Sequence, residues 1–146
     1  MKSISSLARQ VIVLALALGC VAPLFAQSRK INEANLYRYW ILLNRSVTLE
    51  APNSGHNLMT PGCATVTYMV GSDGIPRDVQ LAKVVPQSDL GSIATNAVKQ
   101  FRYGPSLTNG KREPVSTYYV VPFNSPDDPA ARKKLMEPCQ LSGYPE

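Results

Sequence analysis

The clearest pattern of hydrophobic and polar residues lies in the middle of the chain. Residues 64–70 alternate, which predicts a strand with one face in the core. That face carries Val66, Tyr68 and Val70. Asp73-Gly74 then predicts a hairpin turn. A second strand is predicted over residues 79–85, with one face formed by Val79, Leu81, Lys83 and Val85 and the other by Ala82 and Val84.

A helical repeat follows this hairpin. Its apolar positions form one continuous stripe, made of Leu90, Ile93, Ala94, Ala97, Val98 and Phe101. Ser88 and Asp89 supply capping groups at its start, and Gly104-Pro105 is predicted to end it. After an Asn109-Gly110 turn, alternation predicts a third strand over residues 115–123. The order strand, strand, helix, strand predicts an α+β fold, a small antiparallel sheet with a helix packed on one face.

Weaker patterns flank this block. Leu36, Trp40, Leu43 and Val47 recur at helical spacing, which predicts an added N-terminal helix near Glu33–Arg45. The aromatic residues Tyr37, Tyr39 and Trp40 leave two interpretations, a helix packed on the central block or a face that binds a partner. Residues 50–62 read as a loop. Pro129 and Pro138 bound a predicted short C-terminal helix.

The first 26 residues have the pattern of an export signal. Lys2 and Arg9 precede an uncharged, largely apolar stretch, and Ala26 supplies a small residue at the expected cleavage site. Two alternatives remain open: the segment is retained as a membrane anchor, or Cys20 is lipidated. The predicted division is therefore a signal (1–26), an arm with helix and loop (27–61), a central domain (62–124) and a tail (125–146).

Cleavage changes what the charge implies. The chain has 15 Lys and Arg against 10 Asp and Glu, a net charge of +5. Without Lys2 and Arg9, 13 basic residues face 10 acidic ones, which leaves +3. The basic run at residues 132–134 is short and follows Asp127 and Asp128, so a solvated helix face is favoured over a track for phosphates. No nucleic-acid partner is predicted.

Cleavage also changes the cysteine count. Of the three cysteines, only Cys63 and Cys139 remain after Cys20 is removed. An exported chain reaches an oxidising compartment, so we expect these two to pair and tie the tail to the first strand, with two buried free thiols as the alternative. The closed loop of about 77 residues is worth about 4–5 kcal/mol of stability. No metal is predicted, because nothing nearby completes a tetrahedral ligand set.

Catalytic chemistry is not predicted. His56 is the sole histidine and lies in the loop, no serine has a nucleophile-elbow context, and no glycine-rich phosphate loop is present. Asp73, Asp78 and Asp89 fall at a turn, a strand start and a helix cap, which are structural positions. We therefore expect no enzyme, no catalytic residue and no cofactor.

The central block, from about Gly62 to Phe123, resembles the C-terminal domain of TonB, the periplasmic energy transducer of Gram-negative bacteria. The resemblance lies in the order of the motifs: residues 64–70, Asp73-Gly74, residues 79–81, residues 97–105, Asn109-Gly110 and the third strand. The family usually ends its helix with an aromatic, a basic residue, an aromatic and then a proline. Phe101, Arg102, Tyr103 and Pro105 meet that pattern, with Phe101 where tryptophan is commonest.

The resemblance implies a non-enzymatic periplasmic binding module for transport across the outer membrane. TonB-like domains take up an extended peptide of an outer-membrane TonB-dependent receptor, which adds as a strand to an exposed sheet edge. The expected edge is the third strand, formed by Val115, Ser116, Thr117, Tyr118, Tyr119, Val120, Val121 and Phe123. The alternative is that this strand is simply buried sheet.

Departures from the family leave the partner open. Full transducers keep a membrane helix and a long proline-rich spacer, whereas only about 37 residues separate Ala26 from Ala64 here, too few to span far once part of them is helical. A periplasmic relative that binds a receptor peptide, another envelope protein or peptidoglycan fits better than an energy transducer. The alternative function is a structural or accessory cell-envelope protein that keeps the fold without binding a receptor.

Overall fold

The computed structural model describes residues 28–44, 46–49 and 59–145. These ranges contain the strands β1 (Arg29–Lys30), β2 (Trp40–Leu42), β3 (Gly62–Val70), β4 (Pro76–Val85), β5 (Tyr103–Pro105) and β6 (Val115–Phe123). They also contain the helices α1 (Leu90–Lys99) and α2 (Pro129–Met136) and the 3₁₀ turns Glu33–Arg38 and Glu137–Cys139. The predicted export signal, His56 and most of the predicted loop lie outside the described residues.

The main sheet has the strand order β1-β6-β3-β4, and β3 is its organising strand. β3 pairs antiparallel with β4 on one edge and with β6 on the other, and the β6 register runs unbroken from Gly62 opposite Phe123 to Val70 opposite Val115. β1 adds to the far side of β6 in parallel. With α1 packed on β3 and β4, this is the predicted α+β fold, and it is confirmed.

One face of the sheet packs against α1. The predicted inward residues of β3, Val66, Tyr68 and Val70, are buried in one cluster with the α1 stripe. Every member of that stripe is buried. Burying apolar area in this way is the dominant favourable term in folding, so these two elements form the main core.

The other face of the sheet is covered by the tail. Cys63 at the start of β3 is bonded to Cys139, with an S–S distance of 2.01 Å, so the predicted disulfide is confirmed. The Thr65 hydroxyl donates to the Cys139 carbonyl, and Lys83 Nζ donates to the Pro138 carbonyl at 2.8 Å. Cys63 and Thr65, at the alternate positions of β3, are therefore buried as well, and Thr67 and Met69 are half-buried. Alternation alone does not indicate this.

The predicted helix near Glu33–Arg45 is wrong beyond Arg38. A 3₁₀ turn ends at Arg38, and β2 follows, pairing antiparallel with β5. Trp40 is buried, and its indole N–H donates to the Glu113 carbonyl at 3.0 Å. The turn and the short strand that follows it bury Leu36 and Trp40.

Helix α1 also ends earlier than predicted. It stops at Lys99, and the Gln100 N–H bonds back to the carbonyls of Ala97 and Val98. Gly104-Pro105, predicted to end the helix, instead forms part of β5. Asn44 fixes the turn between them: its side-chain amide donates to the Gln100 carbonyl at 2.8 Å, and its oxygen accepts the Arg102 N–H at 2.7 Å.

A bulge in β4 changes which residues share a face. Thr65 lies opposite Lys83 but Val66 lies opposite Leu81, so Ala82 is left without a partner. Leu81 consequently points to α1, where its Cδ2 would come within 2.3 Å of a Cβ placed on Gly91. Lys83 points to the tail instead. The prediction that Leu81 and Lys83 share a face is therefore wrong, because alternation assumes an unbroken ladder.

We expect the double variant Cys63→Ala/Cys139→Ala to unfold more readily than the wild type. Without the cross-link, the unfolded chain regains the entropy of a loop of 76 residues, so the free energy of unfolding should fall by about 4 kcal/mol. Urea denaturation followed by circular dichroism measures this. Reduced wild-type protein serves as the control and should show a similar loss. Superimposable curves for the variant and the oxidised wild type would contradict the role of the cross-link.

Candidate partner-binding edge of the sheet

The outer edge of β6 is the candidate site, because its inner edge is fully paired with β3. The Ser116 carbonyl points outward and accepts the Ile31 N–H at 2.9 Å, and the Val120 N–H points outward to Glu33. Backbone groups of alternate residues point the same way along a strand, so Tyr118 and Pro122 also face this side. Pro122 has no N–H to offer, which is typical of a residue on a sheet border.

The chain itself occupies the first part of this edge. Residues 28–33, here called the N-terminal strap, run along it, with Arg29 opposite Val115 and Lys30 opposite Ser116. The hydroxyls of Ser28 and Ser116 are hydrogen-bonded. The first two residues of the expected edge, Val115 and Ser116, are therefore paired within the chain itself. Peptide binding along the strand stays a prediction.

Glu33 ends the strap on the same edge. Its Oε2 accepts the Val120 N–H at 3.2 Å. Burial raises the pKa of the Glu33 carboxyl to about 7, and the hydrogen bond from Val120 offsets only part of that rise. Within the described ranges, no lysine or arginine forms an ion pair with this carboxylate. Sequence reasoning missed Glu33, because nothing in the local pattern distinguishes it from any acid at the start of a helix.

A recess of about 320 Å³ lies where the strap meets the tail. It is lined by Asn32, Glu33, Ala34, Tyr118, Val120, Met136 and Gln140. The Tyr118 hydroxyl donates to Gln140 Oε1 at 2.9 Å, and its ring meets that of Tyr144 edge to face with centroids 4.9 Å apart. Tyr118 thus links strand, strap and tail.

The side chains of β6 are largely enclosed on both faces. Tyr118 and Val120 are buried beside the disulfide under the tail. On the opposite face Val115 and Phe123 lie in the main core, Tyr119 and Val121 pack against it, and Thr117 is buried. Because these side chains are covered, a partner at this edge meets backbone groups, the strap and the rim of the recess.

The aromatic residues of the N-terminal arm were predicted either to pack on the central block or to form a face that binds a partner, and they differ in this respect. Trp40 is packed into the core, and the Tyr39 hydroxyl accepts a hydrogen bond from the Arg29 guanidinium at 2.7 Å. Tyr37 is 60% exposed and lines an open groove of about 710 Å³ together with Ile41 and Leu107. Only Tyr37 therefore presents most of its ring to solvent.

The described residues hold few other candidates for chemistry. No group of three or more His, Cys, Asp or Glu side chains is arranged there to hold a metal ion. The Tyr68 and Tyr103 hydroxyls lie 2.6 Å apart inside the core, and burial raises the pKa of both phenols, which keeps them neutral. Helices long and apolar enough to span a bilayer are also absent from residues 28–44, 46–49 and 59–145.

We expect Glu33→Gln to flatten the pH dependence of stability. The pKa of this carboxyl is raised from 4.5 to about 7 on folding, so the native state binds more protons than the unfolded chain between these pH values. The contribution of this carboxyl to stability is therefore greatest below pH 4.5 and is lost as the pH rises towards 7, which amounts to about 1–3 kcal/mol. Glutamine does not titrate but still offers an acceptor to Val120.

Urea denaturation at pH 5 and pH 8 measures this difference. Glu113→Gln removes an exposed carboxylate and is the matched control, which should keep the wild-type pH dependence. An equal change in stability between the two pH values for Glu33→Gln and the wild type would contradict the assigned burial of Glu33.

Comparison with known proteins identifies the segment that carries this edge. The profile of the Gram-negative bacterial TonB protein C-terminal family matches residues 56–124. The solution NMR structure of the Pseudomonas aeruginosa TonB CTD is similar to the chain, with 18% sequence identity, a TM-score of 0.49, and coverage of 66% of this chain and 94% of that one. No curated protein matches the sequence. Residues 56–124, which include β3, β4, α1, β5 and β6, are therefore a TonB C-terminal-like domain, to which β1, β2 and the disulfide-linked tail are added.

Proposed function

We propose that the protein is a periplasmic binding module that takes up an extended segment of an outer-membrane TonB-dependent receptor, or of another envelope protein, by strand addition to β6. The observation that carries the proposal is the outer edge of β6, where the chain's own strand pairs with only two of nine residues. Strand addition draws affinity from backbone hydrogen bonds and selectivity from the groups around them. TonB C-terminal domains are protein-interaction domains, which supports the same assignment.

The backbone facing outward defines where such a segment would lie. Tyr118 and Val120 present their main-chain groups between the strap and Pro122. The Val120 N–H is already held by Glu33. A longer partner segment, reaching Val115, would also have to replace β1. The edge thus offers a short contact as it stands and a full-length contact only after the strap leaves.

The N-terminal arm favours local binding over mechanical transduction. Residues 28–44 are folded against the TonB C-terminal-like domain: Ile31 and Leu36 are buried, and β2 pairs with β5. Residues that are folded against the domain add little to the distance that the chain can span. A module that binds a partner locally fits this arrangement better than a transducer that spans the periplasm.

A second candidate is an accessory envelope protein that keeps the fold without binding a receptor. The occupied start of the edge favours it, because paired backbone groups are not available to another strand. Such a protein would act through other surfaces, for example on peptidoglycan. The two candidates differ in whether the outer edge of β6 ever receives a foreign strand.

We expect the chain from residue 27 to 146 to retain TonB-dependent receptors from solubilised outer membranes. Hydrogen exchange followed by NMR locates the contact. The Tyr118 and Val120 amides, which face outward, should gain protection when a captured receptor segment is added. The Thr117 and Tyr119 amides face β3 and are the internal control, since they should change little. Retention of no receptor, or protection confined to another surface, would favour the second candidate.

A further inference from the structure

The N-terminal strap is held on β6 in the manner of a bound peptide. Its backbone supplies a parallel strand of only two residues, extended by the bond from the Ile31 N–H to the Ser116 carbonyl. Ser28, Arg29 and Asn32 add hydrogen bonds to Ser116, Tyr39 and Pro145. Two side chains reach further in: Ile31 is 8% exposed within the main core, and Glu33 reaches the Val120 N–H. A two-residue ladder is marginal alone, so these two side chains carry much of the attachment.

Any partner strand over the whole edge must take the place of the strap. An outward backbone group of β6 can pair with one strand only, and the strap already uses Ser116 and Val120. Removal of the strap empties the site of Ile31 in the core and leaves the Val120 N–H without its acceptor. A partner that fills neither position leaves a void and an unpaired donor, both of which favour return of the strap.

We infer that the partner segment is a chemical copy of the strap, and this inference rests on the proposed function. The segment runs parallel to β6, places a branched apolar side chain in the site of Ile31, and two residues later places a carboxylate on the Val120 N–H. The strap is then a built-in competitor. A segment with this pattern displaces it, whereas an extended segment without the pattern does not.

The chain's own sequence provides the probe. A fluorescein-labelled peptide of residues 28–38 is titrated, by fluorescence anisotropy, into the chain from residue 27 to 146. In the variant Ile31→Ser the resident strap is weakened, and the peptide should bind roughly tenfold more tightly than to the wild type. Ile75→Ser replaces an isoleucine that is 40% exposed and remote from the strap, so it is the matched control and should bind like the wild type.

Changes in the peptide test the pattern itself. A peptide in which serine replaces the residue equivalent to Ile31, or alanine replaces the one equivalent to Glu33, should bind the Ile31→Ser protein roughly tenfold more weakly than the unchanged peptide. Equal binding of all three peptides would overturn the inference. If Ile31→Ser fails to fold, the variant Glu33→Ala, which keeps the apolar contact, replaces it as the acceptor protein and should also bind more tightly than the wild type.

A cross-link locates the peptide on this edge. The Ser28 and Ser116 hydroxyls are in hydrogen-bond contact, so Ser28→Cys/Ser116→Cys should form a disulfide that fixes the strap. When these changes are added to Ile31→Ser, the oxidised protein should lose the gained affinity. Undiminished binding by the cross-linked protein would overturn the assigned site.

An experiment with receptors separates this inference from the proposed function. Captured receptor segments are mapped by cross-linking and mass spectrometry on the same Ile31→Ser protein. A captured segment that lacks the apolar residue and the carboxylate two positions later would overturn the inference and leave the proposed function standing. Binding of the strap peptide without capture of any receptor would support the inferred recognition pattern while refuting the receptor as the partner.

Discussion

The double burial of β3 is the constraint on which the rest of the structure depends. This strand is paired on both edges. α1 covers one of its faces, and the disulfide-linked tail covers the other face at Cys63 and Thr65. A shift of this strand by one residue would turn its apolar residues away from α1 and turn the residues of its other face towards α1, so the register is strongly fixed. β6 is consequently fixed along nine residues by its pairing with β3. Its outer edge therefore lies between the helix on one face of the sheet and the tail on the other.

Local pattern predicts those elements whose apolar repeat is contained within the element itself. Alternation located β3 and the full extent of β6, and the apolar stripe located α1, because each pattern repeats within one element. The disulfide was predictable for a different reason, since the expected export to an oxidising compartment and the expected loss of Cys20 leave Cys63 and Cys139 as the pair. The resemblance to the TonB C-terminal domain located the candidate edge on β6, and peptide binding there stays a prediction.

Features made by distant contacts were not predictable in this way. Trp40 enters a strand rather than a helix because β5 lies beside it, where Pro105, 65 positions further along, is its partner. The Ala82 bulge depends on the register between β3 and β4, which the sequence of either strand alone does not indicate. The occupation of β6 by the strap joins residues 88 positions apart, Ser28 and Ser116. Nothing in a polar arm with one isoleucine and one glutamate predicts that it pairs with β6.

The bulged strand at the opposite border of the sheet decides where new strands can join. β4 is the outermost described strand on that side, with Pro76 at its start, ladder irregularities near Asp78 and Ala82, and charged Arg77 and Lys83. Each of these devices makes a border a poor template for another chain. An additional strand is thus disfavoured at β4, one of the two borders of the sheet. Two copies of the protein cannot readily join through β4, so this border of the sheet protects the chain from edge-to-edge aggregation.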